Sequence, residues 1–327
     1  MSTRRYVIAK VFQAFLTLLF VLAFNFFLFR GIGDPVTQLL RGHNISPQAV
    51  KQLKAQLGLD LPLIQQFFHY IGQTLQGHLG YSYFYNASVS SVIASRIWPT
   101  VLLIGTSTIA SIGFGLWLGI RQGWKRGSTF DKSALGVSLF LYSMPEFWFG
   151  LLMIMAFSTG VGIFPSIFPS GQMMTQGVDQ HGLALFTDVL NHMALPFFVL
   201  TVSYLAEYSL IMRSSLLDTL GEDFITTARS KGLRENDVLY RHAVPNALLP
   251  TMTITILSLG FIISGAITIE LIFSWPGLGL LTYTAITNGP DFPVLQGLFL
   301  LFSISVIVAN LVADLMYSYL DPRVRAG

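Results

Sequence analysis

Long apolar stretches alternate with shorter polar segments along the whole chain. Six of these stretches hold about 20 mostly apolar residues, the length with which a helix crosses about 30 Å of hydrocarbon. A helix also satisfies its backbone hydrogen bonds within one segment, as lipid requires. The pattern predicts an all-α integral membrane protein with six transmembrane helices. These helices are expected at residues 7–29, 100–120, 134–157, 195–212, 248–273 and 293–313.

The composition agrees with a protein surrounded by lipid. Of 327 residues, 53% are hydrophobic and 11% are charged, whereas soluble proteins carry about 25% charged residues. The 27 Phe residues exclude a disordered chain. The sequence has no cysteine, so disulfides and thiol catalysis are excluded. The six His residues lack the spacing of metal ligands, and catalytic residues are not predicted either.

Among the shorter polar segments, Lys and Arg residues concentrate in every second one, whereas the long segment 30–99 holds five, which the topology rule tolerates in a loop of that length. Those in the shorter segments occur before the first apolar stretch, in segments 121–133 and 213–247, and at the C-terminus. The loops 158–194 and 274–292 contain neither residue type. Because short basic loops stay in the cytoplasm, both termini are predicted to be cytoplasmic. The basic residues thus indicate topology, and no nucleic-acid partner is predicted.

The polar segment after the first apolar stretch is long enough to have its own fold. Residues 30–99 are expected to form an extracytoplasmic helical cap, between a first unit at 1–29 and a five-helix core at 100–327. Helices are predicted before Gly58 and at 63–75. Two interpretations stay open: the cap lies on the bilayer surface, or it docks an external partner.

The inner loop after the fourth apolar stretch is polar but regularly patterned. Glu222 and Asp223 stand at the start of a predicted short helix, and Arg229 and Lys231 stand at its end. This order of charges matches the helix dipole. Gly232 follows at the position where a left-handed cap is expected.

A second short helix is predicted in the same loop. It should begin near Glu235 and end before Pro245, which is expected to hold Val244 in an extended conformation. Two short helices joined by a turn would form a plug, and the small side chains of Thr227 and Ala228 suit insertion into the groove of a partner. The alternative is a solvated inner loop.

A family resemblance is strongest in this loop. The run Asp223-Phe-Ile-Thr-Thr-Ala-Arg-Ser-Lys-Gly232, followed by Pro245, resembles the EAA loop of ABC importer permeases, which docks into an ATPase subunit. Its second half resembles the dipeptide, oligopeptide and nickel branch, although Thr226 stands where the general family loop has Glu. Further motifs of the branch are Gly33-Asp34-Pro35, Leu57-Gly-Leu-Asp-Leu-Pro62, Gly80-Tyr-Ser82, Ser143-Met-Pro-Glu-Phe-Trp148, Phe273-Ser-Trp-Pro-Gly-Leu-Gly279 and Leu320-Asp-Pro-Arg323.

The resemblance implies a type I ABC importer permease fold and a set of partners in a prokaryotic inner membrane. These would be a second, related permease subunit, two ATP-binding-cassette ATPase subunits inside and an extracytoplasmic substrate-binding protein outside. ATP and Mg would be bound by the ATPase subunits, and no cofactor by this chain. The sequence agrees, because it has no Gly-Lys dipeptide and hence no phosphate-binding P-loop. The chain itself is not expected to be an enzyme.

The implied function is peptide import, with this chain forming half of the translocation pathway. The alternatives are a nickel or other small-solute permease of the same branch, and an ATP-independent secondary transporter, which usually shows inverted repeats. Coupling to the ATPase subunits is expected through residues 222–245. The coupling residues that the resemblance suggests are Glu222, Asp223, Phe224, Thr227, Ala228, Arg229, Lys231, Gly232 and Pro245.

Carboxylates inside apolar stretches are candidate pathway residues, because charge is costly in lipid. Glu146, next to Pro145, and Glu207 would either line the pathway or support a kink and a helix contact. In the fifth stretch, a small-residue face is formed by Ser258, Gly260, Ser264 and Gly265. Close helix packing and pore lining are the alternatives for this face.

The outer end of the fifth stretch carries a Trp-Pro-Gly-Leu-Gly turn. Trp275, Pro276, Gly277 and Gly279 would either contact the binding protein or simply cap the span. Glu270 lies just before this turn, and solvation at the membrane interface is expected for it.

Overall fold

The structure is a computed structural model that describes most of the chain. The described residues are 3–32, 48, 59–160 and 165–320. The helix predicted before Gly58 and the motif at 33–35 lie outside this part of the chain. The motifs at 57–62 and 320–323 lie only partly inside it.

Helices account for nearly all regular structure of the described residues. Strands β1 (Tyr81–Ser82) and β2 (Ala87–Ser88) form a small antiparallel hairpin in which Tyr81 is opposite Ser88. The helices are α1 (Thr3–Ile32), α2 (Leu63–Leu75), α3 (Val89–Thr100), α4 (Thr106–Trp124), α5 (Thr129–Ser143), α6 (Glu146–Phe157), α7 (Leu183–Leu220), α8 (Asp223–Ser230), α9 (Glu235–Asp237), α10 (Val244–Phe261), α11 (Ile267–Ile272), α12 (Leu278–Thr287) and α13 (Phe292–Leu320).

Three short turns that are tighter or wider than an α-helix connect some of these helices. The π-helical turn Val101–Gly105 joins α3 to α4, and the π-helical turn Val238–Ala243 joins α9 to α10. The 3-10 turn Ile262–Ser264 follows α10. Gly265 then adopts a φ of 76°, which interrupts the helical path before α11 and is favourable only for glycine.

The predicted membrane spans correspond closely to long apolar helices. Five segments are long and apolar enough to cross a membrane, namely Arg4–Ile32, Val89–Trp124, Leu183–Leu220, Glu235–Ile272 and Phe292–Met316. The remaining predicted stretch, 134–157, forms α5 and α6, which are bent by 101° relative to each other. The described residues therefore contain five candidate spans, or six if the bent pair counts as one. The prediction of a helical membrane protein is confirmed at this level.

The bend between α5 and α6 has a local cause at Pro145. Proline lacks an N–H group for the helix, and it disfavours the helical conformation of the residue before it. Met144 accordingly has a ψ of 126°, and Glu146 begins the next helix. The predicted kink at Pro145 is present as a sharp bend.

Helix α7 is the central helix of the core, and α4 approaches it closely. Gly115, Gly119 and Gly123 are spaced by four residues, so they share one face of α4. A Cβ atom on Gly119 would lie 2.6 Å from the carbonyl oxygen of Ser209 on α7. The absence of side chains on this face permits the close approach of the two helices.

The inner part of α7 is also tied to the start of α5 by an ion pair. The Arg213 guanidinium donates from Nε to Asp131 Oδ1 at 2.7 Å and from Nη2 to Asp131 Oδ2 at 2.9 Å. The Gly127 N–H donates to the same carboxylate at 2.9 Å. Asp131 is buried, and bidentate charge-assisted bonds of this kind fix both partners.

Candidate functional site

The segment 222–245, which is predicted to lie on the inner side, folds back onto the core. Helix α8 follows α7 after Gly221, and Glu222 is its N-cap in an extended conformation. Ile225 and Ala228 lie on one helix face, because they are three residues apart, and both are buried. Their buried neighbours are Met212, Leu216, Val238, Leu239, Ala243, Val244 and Ala247. One face of α8 is therefore fixed to α7, to α10 and to the π-helical turn before α10.

The rest of the α8 surface is exposed, including Phe224, which lies beside Ala228 because the two are four residues apart. Phe224 is 41% exposed, and Asp223, Thr227 and Arg229 are exposed as well. Ala228 is only 4% exposed, so it does not share an outward face with Thr227 as expected. This correction follows from helical geometry, because successive residues point about 100° apart.

The C-terminal end of α8 has the left-handed glycine that the sequence predicts. Gly232 has a φ of 76°, and its N–H donates to the Arg229 carbonyl oxygen at 2.9 Å. The predicted left-handed cap is thus confirmed. The Arg229 guanidinium lies 5.8 Å from the ring centre of Trp124, and its Nε lies 3.3 Å from Glu235 Oε1. Lys231 and Gly232 remain exposed.

The predicted end of the second inner helix before Pro245 is wrong. Helix α9, the π-helical turn and α10 follow one another without a gap, so the helical path continues into the fifth span. Val244 has φ and ψ of −57° and −45°, which is helical and not extended. Pro245 lies at the second residue of α10, next to the π-helical turn. The regular hydrogen-bond ladder is already interrupted there, which accommodates a residue without an N–H.

Glu146 and Glu207 come together where α6 meets α7. Both side chains are half-buried, and each carboxylate lies within electrostatic range of the other. Among the described residues, neither carboxylate forms an ion pair with Lys or Arg. The fold thus brings two of the predicted pathway residues near each other.

The small residues of the fifth span have separate environments. A Cβ atom on Gly260 would lie 2.0 Å from the Cβ of Ala309 on α13, and Ser305 donates to the Gly260 carbonyl oxygen at 2.6 Å. Gly260 therefore serves close packing of α10 against α13. Ser258 donates to its own helix at Ile254, and Ser264 lies half-buried in the 3-10 turn.

Glu270 closes the turn at the end of the fifth span that is predicted to face outward. Its side chain is 0% exposed. Oε1 accepts a hydrogen bond from Thr100 Oγ1 at 2.8 Å, and Oε2 accepts one from the Leu280 N–H at 3.0 Å. Thr100 accepts the Leu278 N–H at 2.7 Å. Carboxylate and hydroxyl together cap the first turn of α12. The expectation that Glu270 is solvated is therefore wrong.

The Trp-Pro-Gly-Leu-Gly turn is packed around this carboxylate. A Cβ atom on Gly277 would lie 2.3 Å from Glu270 Oε2, and one on Gly279 would lie 2.8 Å from the Ile267 Cα. Trp275 is buried, and its indole N–H donates to the Pro99 carbonyl oxygen at 2.8 Å. Pro276 is half-buried. Of the four predicted contact residues, only Pro276 offers surface to a partner, and for it the contact stays a prediction.

Three structural features of this region were not predicted from the sequence. They are the Asp131–Arg213 ion pair, the capping of α12 by Glu270, and the glycine face of α4. The four-residue spacing of Gly115, Gly119 and Gly123 was the available signal for the last of them. Within the described residues, no group of three or more His, Asp or Glu side chains could hold a metal ion.

Comparisons with known proteins agree with this architecture. Residues 111–326 match the family described as binding-protein-dependent transport system inner membrane component. Residues 3–104 match the N-terminal family of such membrane components. Together these matches cover most of the chain, from the first span to the region beyond α13.

Several relatives are similar over nearly their whole length. The chain is 39% identical to the dipeptide transport system permease protein DppB of Escherichia coli (strain K12), over 90% of both chains. It is 38% identical to the di/tripeptide transport system permease protein DppB of Pseudomonas aeruginosa (strain UCBPP-PA14), again over 90% of both. It is 35% identical to the glutathione transport system permease protein GsiC of Escherichia coli O6:H1, over 98% of both. The chain therefore belongs to the family of inner membrane components of binding-protein-dependent transport systems, and it is a multi-pass membrane permease subunit.

Proposed function

We propose that this permease imports peptides and forms half of a translocation pathway together with a second, related permease subunit. The names of the relatives support a peptide solute, because the two at 38% and 39% identity are dipeptide or di/tripeptide permeases. Glutathione, the solute named for a further relative, is itself a small peptide. Nickel or another small solute is the alternative within the same branch.

The proposed topology has six spans and cytoplasmic termini in a prokaryotic inner membrane. It counts α5 and α6 as one broken span, and it places residues 30–99 outside the cell membrane as a cap on the five-helix core at 100–327. The support is the distribution of Lys and Arg, since loops 158–194 and 274–292 contain neither residue type. In this topology the segment 222–245 is cytoplasmic, as coupling to an internal ATPase requires.

The observation that carries the coupling proposal is the two-sided packing of α8. Ile225 and Ala228 pack in the permease core, while Thr227 on the other side and Phe224 at the edge of the buried face stay exposed. A short helix with one anchored and one exposed face can take up force from a partner and pass it to its own core. Two ATPase subunits, which bind ATP and Mg, would dock against such faces of the two permease subunits.

The buried face of α8 determines which helices of the core would move when an ATPase subunit displaces α8. Ile225 and Ala228 belong to the same buried cluster as Met212 and Leu216 of α7 and Val244 and Ala247 of α10, and Arg213 on α7 holds the start of α5 through Asp131. A displacement of α8 would therefore move α7, α10 and α5 together. Glu146 and Glu207 lie further along α6 and α7, where this movement would change access to the pathway.

The experiment is reconstitution of the complete complex in liposomes with its binding protein. Phe224→Ala should lower both dipeptide uptake and ATP hydrolysis severalfold, because the exposed ring is lost from the docking face. Phe12→Ala is the matched control, since Phe12 is equally a large exposed ring (58%) but lies on the lipid-facing helix α1. Equal uptake by both variants at equal protein amounts would contradict the coupling role of α8.

The same liposomes separate the alternatives. Uptake by permease subunits without ATPase subunits would indicate a secondary transporter and overturn the proposal. Mass spectrometry of the ligand that co-purifies with the binding protein distinguishes peptide from nickel chelate or other solute.

A further inference from the structure

Helix α2 has three distinct faces. One face carries Phe67 and Tyr70, which contact α1. The adjacent face carries Ile64, Phe68 and Leu75, and these apolar side chains are 62%, 66% and 76% exposed. The remaining side carries the polar residues Gln65, His69 and Gln73. Helical spacing of three, four and seven residues produces this separation.

The contact with α1 fixes the depth of α2 relative to the end of the first membrane span. Phe67 packs on Phe26 and Phe27, with ring centres 5.4 and 5.9 Å apart. Asn25 donates to the Tyr70 hydroxyl at 3.2 Å, and burial raises the pKa of that hydroxyl. Since α1 ends at Ile32, a rise of 1.5 Å per residue puts this contact about 8 Å below the end of the first span.

A charged residue lies about one helical turn beyond this contact, toward the C-terminal end of α1. Arg30, in the last turn of α1, donates a hydrogen bond to Gln66 in the first turn of α2. Arginine near the end of a span reaches the lipid headgroups with its charged end. The apolar face of α2 is therefore expected at the boundary between headgroups and acyl chains.

The exposed apolar face continues a surface that faces lipid. Phe20, Phe24 and Phe27 are exposed on α1, and a span with so few buried side chains presents them to hydrocarbon. Phe27 stacks on Phe67, and Phe67 contacts Phe68 with ring centres 5.7 Å apart. An unbroken series of aromatic contacts thus leads from the lipid-facing side of α1 to the exposed face of α2.

We infer that α2 is an interfacial helix whose Ile64, Phe68 and Leu75 side chains insert into the outer leaflet of the bilayer. Its partner is the lipid surface, and its role is to hold the outer cap at a fixed height on the first span. Amphipathic helices with large apolar side chains on one side bind membranes in this orientation. The inference does not depend on which solute the permease transports.

The test uses the absence of cysteine from the sequence. Single variants Ile64→Cys, Phe68→Cys, Leu75→Cys, Gln65→Cys and His69→Cys are spin-labelled in the assembled transporter in lipid nanodiscs, without the binding protein. Collision rates are measured with oxygen, which concentrates in the bilayer, and with a water-soluble nickel chelate. Phe20→Cys on α1 calibrates the lipid signal. Asp179→Cys, whose native side chain is 91% exposed, calibrates the water signal.

The expected result is a severalfold higher ratio of oxygen to nickel collisions at positions 64, 68 and 75 than at positions 65 and 69. Nickel collisions that exceed oxygen collisions at the three apolar positions would place this face in water and overturn the inference. Low collision rates with both reagents would show that protein covers the face, which also overturns it. Three apolar positions are measured so that the loss of one variant leaves the comparison intact.

Discussion

The segment 222–245 and the turn 270–279, predicted to face inward and outward, resemble each other in sequence, because each combines a short helix, at least one carboxylate and a turn that contains glycine. Their environments differ. The inner helix α8 buries one face and exposes the other, and its charged residues stay at the surface. The outer turn buries its carboxylate completely, together with Trp275. The difference shows that a motif near a span end forms a partner surface only when its polar groups are not already satisfied within the chain.

The largest expected effect is at the outer turn. Glu270→Ala removes the acceptor for the Thr100 hydroxyl and the Leu280 N–H, and it leaves a space in a buried site. The free energy of unfolding should fall by about 3 kcal/mol, because buried donors without a partner are costly. The measurement is the thermal unfolding midpoint of the purified complex in detergent. An unchanged midpoint would show that the capping contributes little.

Two further variants sharpen this test. Glu270→Gln keeps the size of the side chain and one acceptor oxygen, so its loss of stability should be smaller. Gly277→Ala adds a methyl group next to the same carboxylate, because a Cβ at position 277 would lie 2.3 Å from Glu270 Oε2. It should lower the midpoint as well, because the carboxylate or the turn has to move.

The second prediction places the same side chain on the two faces of α8. Ala228→Glu puts a charge into a buried cluster and should lower the free energy of unfolding by about 2 kcal/mol. Thr227→Glu puts it on the exposed face, where the unfolding midpoint should not change. Thr227→Glu should instead weaken binding of the ATPase subunits, measured by the amount that co-purifies. Equal midpoints for the two variants would contradict the assigned orientation of α8.

The sequence pattern predicts the long helices well because a span is determined by local composition. It does not predict the environment of Glu270, because the hydroxyl that completes its site belongs to Thr100, which is 170 residues away. Proximity to a span end was a poor guide to exposure there. Likewise, Pro145 indicates where the third stretch bends, but the angle of 101° depends on how α5 and α6 pack on α7.

The face of α8 illustrates a similar limit. Phe224, Ile225 and Ala228 lie within about 100° of one another around the helix, so the pattern favours one apolar side. It does not predict that Ile225 is completely buried while Phe224 stays 41% exposed. That difference depends on the residues buried in the same cluster as Ile225, which include Met212 and Leu216 of α7 and Val238.

A smaller effect is expected at the glycine that ends α8. Gly232 has a φ of 76°, and a Cβ there would have no atom within 4 Å. Gly232→Ala therefore creates no clash, and only the left-handed backbone opposes it, at about 1 kcal/mol. Its midpoint should lie between those of Glu270→Ala and the parent. A fall as large as that of Glu270→Ala would mean that the inner turn is as tightly packed as the outer one.

The smallest effect is expected for the ion pair between Arg229 and Glu235. Both side chains are about half exposed, at 46% and 60%, and water and salt screen such pairs. Glu235→Ala should therefore leave the unfolding midpoint unchanged at physiological salt. Arg229→Ala should have a slightly larger effect, because the guanidinium also lies over the Trp124 ring at 5.8 Å. If Glu235→Ala instead destabilised the protein as strongly as Glu270→Ala, charge on the inner surface would stabilise the fold as much as the buried carboxylate does. The two regions would then no longer differ in the way their exposure indicates.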